Sequence, residues 1–393
     1  MDTIQTPSVS TTTVTVVRGS APVIEQVSTK HQMKLFIDFP HDLYSNDPLY
    51  VPELFIAQRD LLTPGKHPFH EHSQIQLFLA FRDKKVVGRI AAINNRNHNA
   101  FNGTNDGFFG FFECIPDVTV SNALFNTAAE WLKKQGLSTI IGPVNFSTNE
   151  TCGLLVEGFD SSPVVMMPYN RPYYIELIKA AEMKENVTLI AWQVTADAVE
   201  DKPLRMMQML ENRLAQRNIV VRKINLKKFD EEVVKIREIY NKAWDKNLGF
   251  VPMTDNEFAY LAKDLKMILD PDFCIVAEKD GKAIGFALCI PDLNQVLIKI
   301  RKGRLLPTGI FKLLLGKSKI KGVRVLALGV LEPFRKLGVE AVFYGQIIRD
   351  CRKKGINVAE ASWILEHNDL MNSAIQAVNG VPYKRYRIYE KAI

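Results

Sequence analysis

Long apolar runs are missing from this 393-residue sequence. No stretch approaches the roughly 18 residues that a bilayer-spanning helix needs. The first thirty residues are Ser/Thr/Val-rich but lack the basic start and continuous apolar core of a secretory signal. Cysteine is scarce and scattered. Cys114, Cys152, Cys274, Cys289 and Cys351 form no CxxC pair, which excludes a disulfide framework and a cysteine zinc site. A reducing cytoplasm is the expected setting. Also absent are a Walker phosphate loop, a dinucleotide GxGxxG and a G-x-S-x-G elbow. Acidic residues vanish from 294–321, where Lys299, Arg301, Lys302, Arg304, Lys312, Lys317, Lys319 and Lys321 gather. The net charge is +7, and without those eight cations it is −1. The basicity is local, so no nucleic-acid partner is expected.

What is present is a core-building composition, 47% hydrophobic and 24% charged, on a chain long enough for two domains at roughly 100–200 residues each. The chain also repeats itself. Residues 79–88 and 276–285 both read as hairpins and match at Ala80/Ala277, Asp83/Asp280, Lys85/Lys282 and Gly88/Gly285, a displacement of 197. Tyr50-Val51-Pro52 recurs as Phe250-Val251-Pro252 at 200. Downstream the displacement becomes 219, aligning Gly110 and Glu113 with Gly329 and Glu332, and Lys133-Lys134-Gln135-Gly136 with Arg352-Lys353-Lys354-Gly355. Gly136 and Gly355 each suit a helix C-terminal cap. The jump places about 22 extra residues in the second copy, and the basic segment lies in that interval.

Each half is expected to run strand, helices, hairpin, strand, helix, strand, helix, strand. In the second half the expected elements are a strand at 220–224, a helix N-capped by Asp230 and running to about Trp244, and a hairpin of 274–277 with 284–289 through a type I′ Asp280-Gly281 turn. A strand at 323–330, a helix at 339–354, a strand at 358–365, a helix at 370–378 and a strand near 386–389 follow. Pro203 opens a connecting helix with Met206, Met207 and Met209, ending near Arg217. The expected division is a flexible tail at 1–22, a first domain at 23–200, a connecting helix at 201–218 and a second domain at 219–393.

The stretch Val330-Leu331-Glu332-Pro333-Phe334-Arg335-Lys336-Leu337-Gly338-Val339 resembles the strand-to-helix turn of the GCN5-related N-acyltransferases, Arg/Gln-x-x-Gly-x-Gly/Ala. The runs 142–147, 153–160 and 362–366 look like a bacterial tandem subfamily, including one associated with ceramide synthases that N-acylate sphingoid bases. The resemblance implies an α+β architecture of two tandem folds with mixed, mostly antiparallel sheets. It implies acyl-CoA as donor substrate, no metal, and a donor site formed by Leu328, Gly329, Val330, Arg335, Lys336, Leu337, Gly338, Val339, Glu340 and Ala341. Backbone N–H groups at a helix start cradle a pyrophosphate, and glycine permits its close approach. Arg335 and Gly338 fit the pattern; Glu340 departs from it, standing where a small residue is expected. The first half has lost the motif: 114–121 holds no glycine and no basic residue, and carries Asp117 instead.

Acyl transfer to an amine needs an oxyanion donor and a proton path. By resemblance the donor is the Val330 N–H. Glu360, Glu366 and His367, on or just past the 358–365 strand, are base candidates or edge polar residues. Alternation puts Glu360, Ser362, Ile364 and Glu366 on one face, with Trp363, Leu365 and His367 on the other. Asn368 matches the asparagine that the superfamily often places before its last helix. The tyrosine that often follows is absent, leaving Tyr383 and Tyr386 as substitutes. The segment 298–321 mixes its cations with Leu305, Leu306, Ile310, Phe311, Leu313, Leu314 and Leu315; it reads either as a peripheral contact with the inner face of a membrane or as a helix with a solvated face. His67, His70 and His72 read as a non-metal loop. The expected acceptor is a small-molecule or lipid amine. A silent ligand- or partner-binding tandem and a cell-wall aminoacyl transferase are the alternatives.

Overall fold

The computed structural model describes residues 20–243 and 250–393. Most of the tail expected at 1–22, and Trp244 at the end of the second-half helix, lie outside the described residues. The first half runs β1 (Val23–Gln26), α1 (Lys30–Leu43), α2 (Phe55–Leu62), β2 (Ser73–Arg82), β3 (Lys85–Asn95), α3 (Arg96–Asn102), β4 (Asp106–Cys114), α4 (Val118–Lys134) and β5 (Thr139–Gly142). The short strands β6 (Val144–Asn145), β7 (Thr151–Cys152) and β8 (Leu154–Glu157) follow, then α5 (Tyr174–Ala180) and β9 (Lys184–Thr195). After the connector α6 (Asp201–Ala215), the second half repeats the order: β10 (Ile219–Lys223), α7 (Phe229–Ala243), α8 (Asp255–Lys266), β11 (Cys274–Lys279), β12 (Lys282–Pro291), α9 (Asn294–Leu297), α10 (Gly309–Gly316) and β13 (Gly322–Val330). It ends with α11 (Val339–Lys354), β14 (Val358–Leu365), α12 (Asp369–Gln376) and β15 (Val381–Ala392).

The repeated hairpins have the same turn. Asp83 and Lys84 have φ of 48° and 63°, Asp280 and Gly281 50° and 78°, the two positive values that a type I′ connection requires. Most of the extra length of the second copy is α9–α10, inserted where the first half has only α3, and the rest is in the turn after β13. Leu331 N–H meets Ile284 O as Ile115 N–H meets Val87 O, so Val330 corresponds to Cys114. This corrects the expected match of Gly110 and Glu113 with Gly329 and Glu332. A second expected detail is corrected: Asp230 does not cap α7 but sits in its first turn, because a 3₁₀ turn at Leu226–Lys228, capped by Asn225, carries the chain into Phe229. The last strand is longer than expected, because alternate residues of Val381–Ala392 face neighbours along the whole length. On α6, Met207 is buried against α11 at Gly345, where an added Cβ would meet the methionine Cβ at 2.9 Å; Met206 and Met209 are exposed.

Thirteen strands form one sheet in the order β1-β2-β3-β4-β5-β15-β9-β14-β13-β12-β11-β10, with β8 also paired on β15. The two halves have exchanged closing strands. β15 pairs antiparallel with β5 (Tyr389 opposite Gly142), and β9 pairs antiparallel with β14 (Thr195 opposite Val358). The segments divided at residue 200 are therefore interlocked in space, each sheet completed by the other's last strand.

A second feature positions the site. Parallel pairing of β4 with β5 covers only Asp106–Phe108 against Thr139–Ile141, and that of β13 with β14 only Gly322–Val325 against Val358–Ala361. Beyond those pairs the strands separate, leaving one cleft in each half.

Candidate active site

The two clefts differ in what fills them. In the first half β6 lies across β4 so closely that a Cβ on Gly110 would meet Val144 O at 1.7 Å. Asn145 Oδ1 accepts the Phe111 N–H at 2.7 Å. The following helix start is also closed: Asp117 is fully buried, accepts from Thr119 N–H at 2.8 Å, and pairs with Arg82 at 2.6 Å. A carboxylate already occupies the place where an anion would meet the helix amides.

In the second half Leu331 N–H donates to Ile284 O on β12 at 2.9 Å. Amide directions alternate along a strand, so the Val330 N–H and C=O face the cleft side. Arg335 fixes the turn: its Nε donates to Val330 O at 3.0 Å and its Nη2 to Ala243 O at 2.9 Å. After the 3₁₀ turn Glu332–Leu337, Gly338 takes φ +85° and leads into α11, whose start has no side-chain cap from Gly338. Arg335 and Lys336 are exposed beside it. These residues suit a pyrophosphate, through first-turn amides and two nearby cations, whereas the sealed first half does not. Glu340 is half-buried in the same first turn. Burial raises its carboxyl, opposed by its own backbone N–H and by Arg335.

Between the halves lies a cavity of about 510 Å³, walled mainly by apolar side chains. Ile236 and Tyr240 of α7, Phe258, Leu261 and Leu265 of α8, Leu326 and Ala327 of β13, and Trp363 and Leu365 of β14 supply one side. Phe146, Cys152 and Met166 of the first half supply the other. Glu150 lines it too, with Oε2 accepting from Ser147 N–H (3.0 Å) and Ser147 Oγ (2.6 Å). Burial pushes this carboxyl up to about 7; the Ser147 bonds lower it and the nearby Glu257 raises it. Alongside, Tyr240 donates to Asn149 Oδ1 at 2.8 Å, and Asn149 Nδ2 donates to Val251 O at 3.0 Å, so this wall joins the two halves.

A third group, not singled out in the sequence, is centred on the buried Arg324 of β13. Its Nη1 donates to Val165 O (3.1 Å) and Met166 O (3.0 Å) of the first half, and its Nε to Ser362 Oγ (3.0 Å). Ser362 in turn donates to Glu360 at 2.6 Å, and Tyr383 also donates to Glu360. Glu360 is raised to about 7 by burial, with Arg324 and Ser362 opposing the rise. Arg324 borders the cavity, with its guanidinium 4.8 Å from the Trp363 ring centroid.

The other sequence candidates are dispersed. Glu366 is exposed and paired with Arg385, His367 is exposed, and Asn368 caps α12 by accepting from Met371 N–H at 3.2 Å. None of Glu360, Glu366, His367 and Asn368 lines the cavity. Tyr386 is buried with no partner for its hydroxyl among the described residues. The three histidines are structural: His67 caps Phe69 N–H, His70 meets Leu61 O at 2.9 Å, and His72 pairs with Glu257 at 3.0 Å across the halves. Among the described residues no group of three or more His, Cys, Asp or Glu is arranged to hold a metal. None of the described helices is long and apolar enough to cross a membrane. Sequence reading missed Glu150, which sits in a loop without periodicity, and Arg324, which continues the basic run that ends at Lys321.

No family model matches the chain. It is 37% identical over 371 residues to Protein YghO of Escherichia coli (strain K12), covering 93% of this chain and 94% of that protein. It is also 37% identical over 375 residues to the Bacterial ceramide synthase of Caulobacter vibrioides (strain NA1000 / CB15N), covering 93% and 96%. Among solved structures it resembles a tandem GNAT protein from the clavulanic acid biosynthesis pathway, with TM-score 0.56, 11% identity, and 94% and 98% of the two chains covered. A GCN5-related N-acetyltransferase from Anabaena variabilis gives TM-score 0.50 at 9% identity, covering 94% and 72%. At those identities the structural likeness is one of fold. With two full-length relatives above one-third identity and this fold, the chain belongs to the bacterial tandem GNAT-fold family that includes Protein YghO and the bacterial ceramide synthase.

Proposed function

We propose that this protein is an acyl-CoA-dependent N-acyltransferase whose acceptor is a long-chain primary amine. The observation that carries the reading is the apolar cavity of about 510 Å³ beside the β13–β14 cleft, with Glu150 in its wall. That volume lies within the roughly 300–1,000 Å³ of small-molecule sites, and its apolar lining favours an aliphatic chain over a polar amine. The name of the Caulobacter relative supports the same acceptor class. The donor thioester is held at Gly338–Ala341, with Arg335 and Lys336 near its phosphates. The amine attacks the thioester carbon; a C–N bond forms and the C–S bond breaks. Val330 N–H faces the developing oxyanion, Glu150 takes the proton released by the amine nitrogen, and the departing thiolate takes up a proton from solvent. The buried, unpaired thiols of all five cysteines suit a reducing cytoplasm.

The position of Glu340 favours a second reading, a silent ligand-binding tandem, because its carboxylate competes with phosphate at the start of α11. Incubation with CoA thioesters from acetyl to palmitoyl and a sphingoid base, followed by mass spectrometry of the organic phase, separates the two. N-acyl amine formation supports the enzyme; thioester binding without product supports the silent tandem.

A further inference from the structure

The insert between β12 and β13 is held firmly on one side and left bare on the other. On the held side Arg304 makes a two-pronged contact with Asp38 of α1 (2.8 and 3.0 Å) and lies 3.4 Å from the Phe55 ring centroid; Lys302 pairs with Asp42 at 2.6 Å. Gly303, at φ +61°, lets the insert approach the first half so closely that a Cβ would meet Glu53 O at 1.8 Å. On the bare side, Leu306 is 80% exposed, and Phe311, Leu314 and Leu315 of α10 are 63%, 67% and 72% exposed. Met267, just past α8, is 70% exposed and tied to the patch by the Lys317 ammonium on its carbonyl oxygen at 3.0 Å.

The insert has eight cations, and among the described residues only Lys302 and Arg304 meet a carboxylate. Among the described residues Lys299, Arg301, Lys312, Lys317, Lys319 and Lys321 have no acidic partner. Large apolar side chains that reach outward, flanked by unneutralised cations on a fixed support, match the two layers of an anionic bilayer surface: phosphate heads and acyl chains. A monomer seldom leaves such a patch uncovered without a use for it. The patch also adjoins the cavity, since Lys266, which lines it, immediately precedes Met267.

We infer that α10 and its flanking cations form a docking face for an anionic lipid bilayer, with Leu306, Phe311, Leu314 and Leu315 entering the interface. The inference stands apart from catalysis and is tested without it. Full-length protein is sedimented with vesicles of phosphatidylglycerol in phosphatidylcholine, and with phosphatidylcholine alone. Binding to the anionic vesicles exceeds binding to the neutral ones by more than about tenfold and weakens with added salt. The triple variant Phe311→Ser, Leu314→Ser, Leu315→Ser, and separately Lys299→Glu, Arg301→Glu, Lys319→Glu, each lose that binding with an unchanged circular dichroism spectrum. Equal binding to both vesicle types, or wild-type binding by both variants, overturns the inference. So does a lipid-free dimer that the serine variant dissociates while wild-type protein ignores the vesicles, because the patch then belongs to a second copy of the chain.

Discussion

Cys114 N–H donates to the Tyr174 hydroxyl at 3.2 Å, and Val330, which stands opposite the hairpin residue Gly285 as Cys114 stands opposite Gly88, turns the corresponding N–H toward the cleft between β13 and β14. The same strand position is thus satisfied internally in one half and left facing the site in the other. Asp117 and Gly338 extend the contrast to the helix starts, one sealed by a carboxylate and an arginine, the other reached through a glycine with positive φ.

This contrast predicts a single donor site. Gly338→Asp removes thioester binding, because a negative charge enters the phosphate cradle. Gly338→Ala serves as the control for backbone strain, expected at about 1 kcal/mol. Asp117→Ser in the first half lowers stability but leaves thioester affinity within about twofold by calorimetry. Equal affinity loss in Gly338→Asp and Asp117→Ser, with both folded, contradicts a one-site protein.

Glu340 sets how far the turn departs from an open cradle. In an active enzyme its carboxylate swings clear of the phosphates, and Glu340→Gly changes thioester affinity by less than about tenfold, or 1.4 kcal/mol. A gain of several hundredfold would show that the native turn is occluded.

The proton-accepting role proposed for Glu150 has a counterpart in stability. Its folded-state carboxyl is raised from 4.5 to about 7, so the stability associated with its proton is present below the unfolded value and is lost as pH rises through the folded one. Glu150→Gln is therefore more stable than wild type near pH 8, by at most about 3 kcal/mol, and matches it near pH 4.5. In the same variant kcat/KM falls, and the acid limb near pH 7 disappears from its pH profile.

Arg324 ties the halves together. Arg324→Ala strands Val165 O, Met166 O and the Ser362–Glu360 pair in a buried setting, and costs about 3–5 kcal/mol in urea unfolding. Because β9 and β15 are exchanged, the variant and the wild type each unfold in one transition. Two separate transitions would contradict the interlocked sheet.

The repeat was legible because Asp83/Asp280 and Gly88/Gly285 mark the same turn, whose backbone demands few residue types. The helix of 339–354 and the strand of 358–365 were legible from periodicity and from the Gly355 cap. The strand exchange was not, since β5 accepts β15 or β9 equally well by local pattern and only the global packing selects one. The site was legible where backbone conformation dictates residue type, as at Gly338. It was obscure where a side chain reaches the cavity from a loop without periodicity, as with Glu150, or where burial reverses a residue's usual surface role, as with Arg324.

The most direct test of the central claim is a single-turnover reaction of the full chain with palmitoyl-CoA and a sphingoid base, reading free thiol and N-acyl product together. Stoichiometric release of thiol and formation of amide, absent in Gly338→Asp and slowed near neutral pH in Glu150→Gln, is the predicted result. Thioester that binds tightly yet yields neither thiol nor amide with any long-chain amine would contradict it.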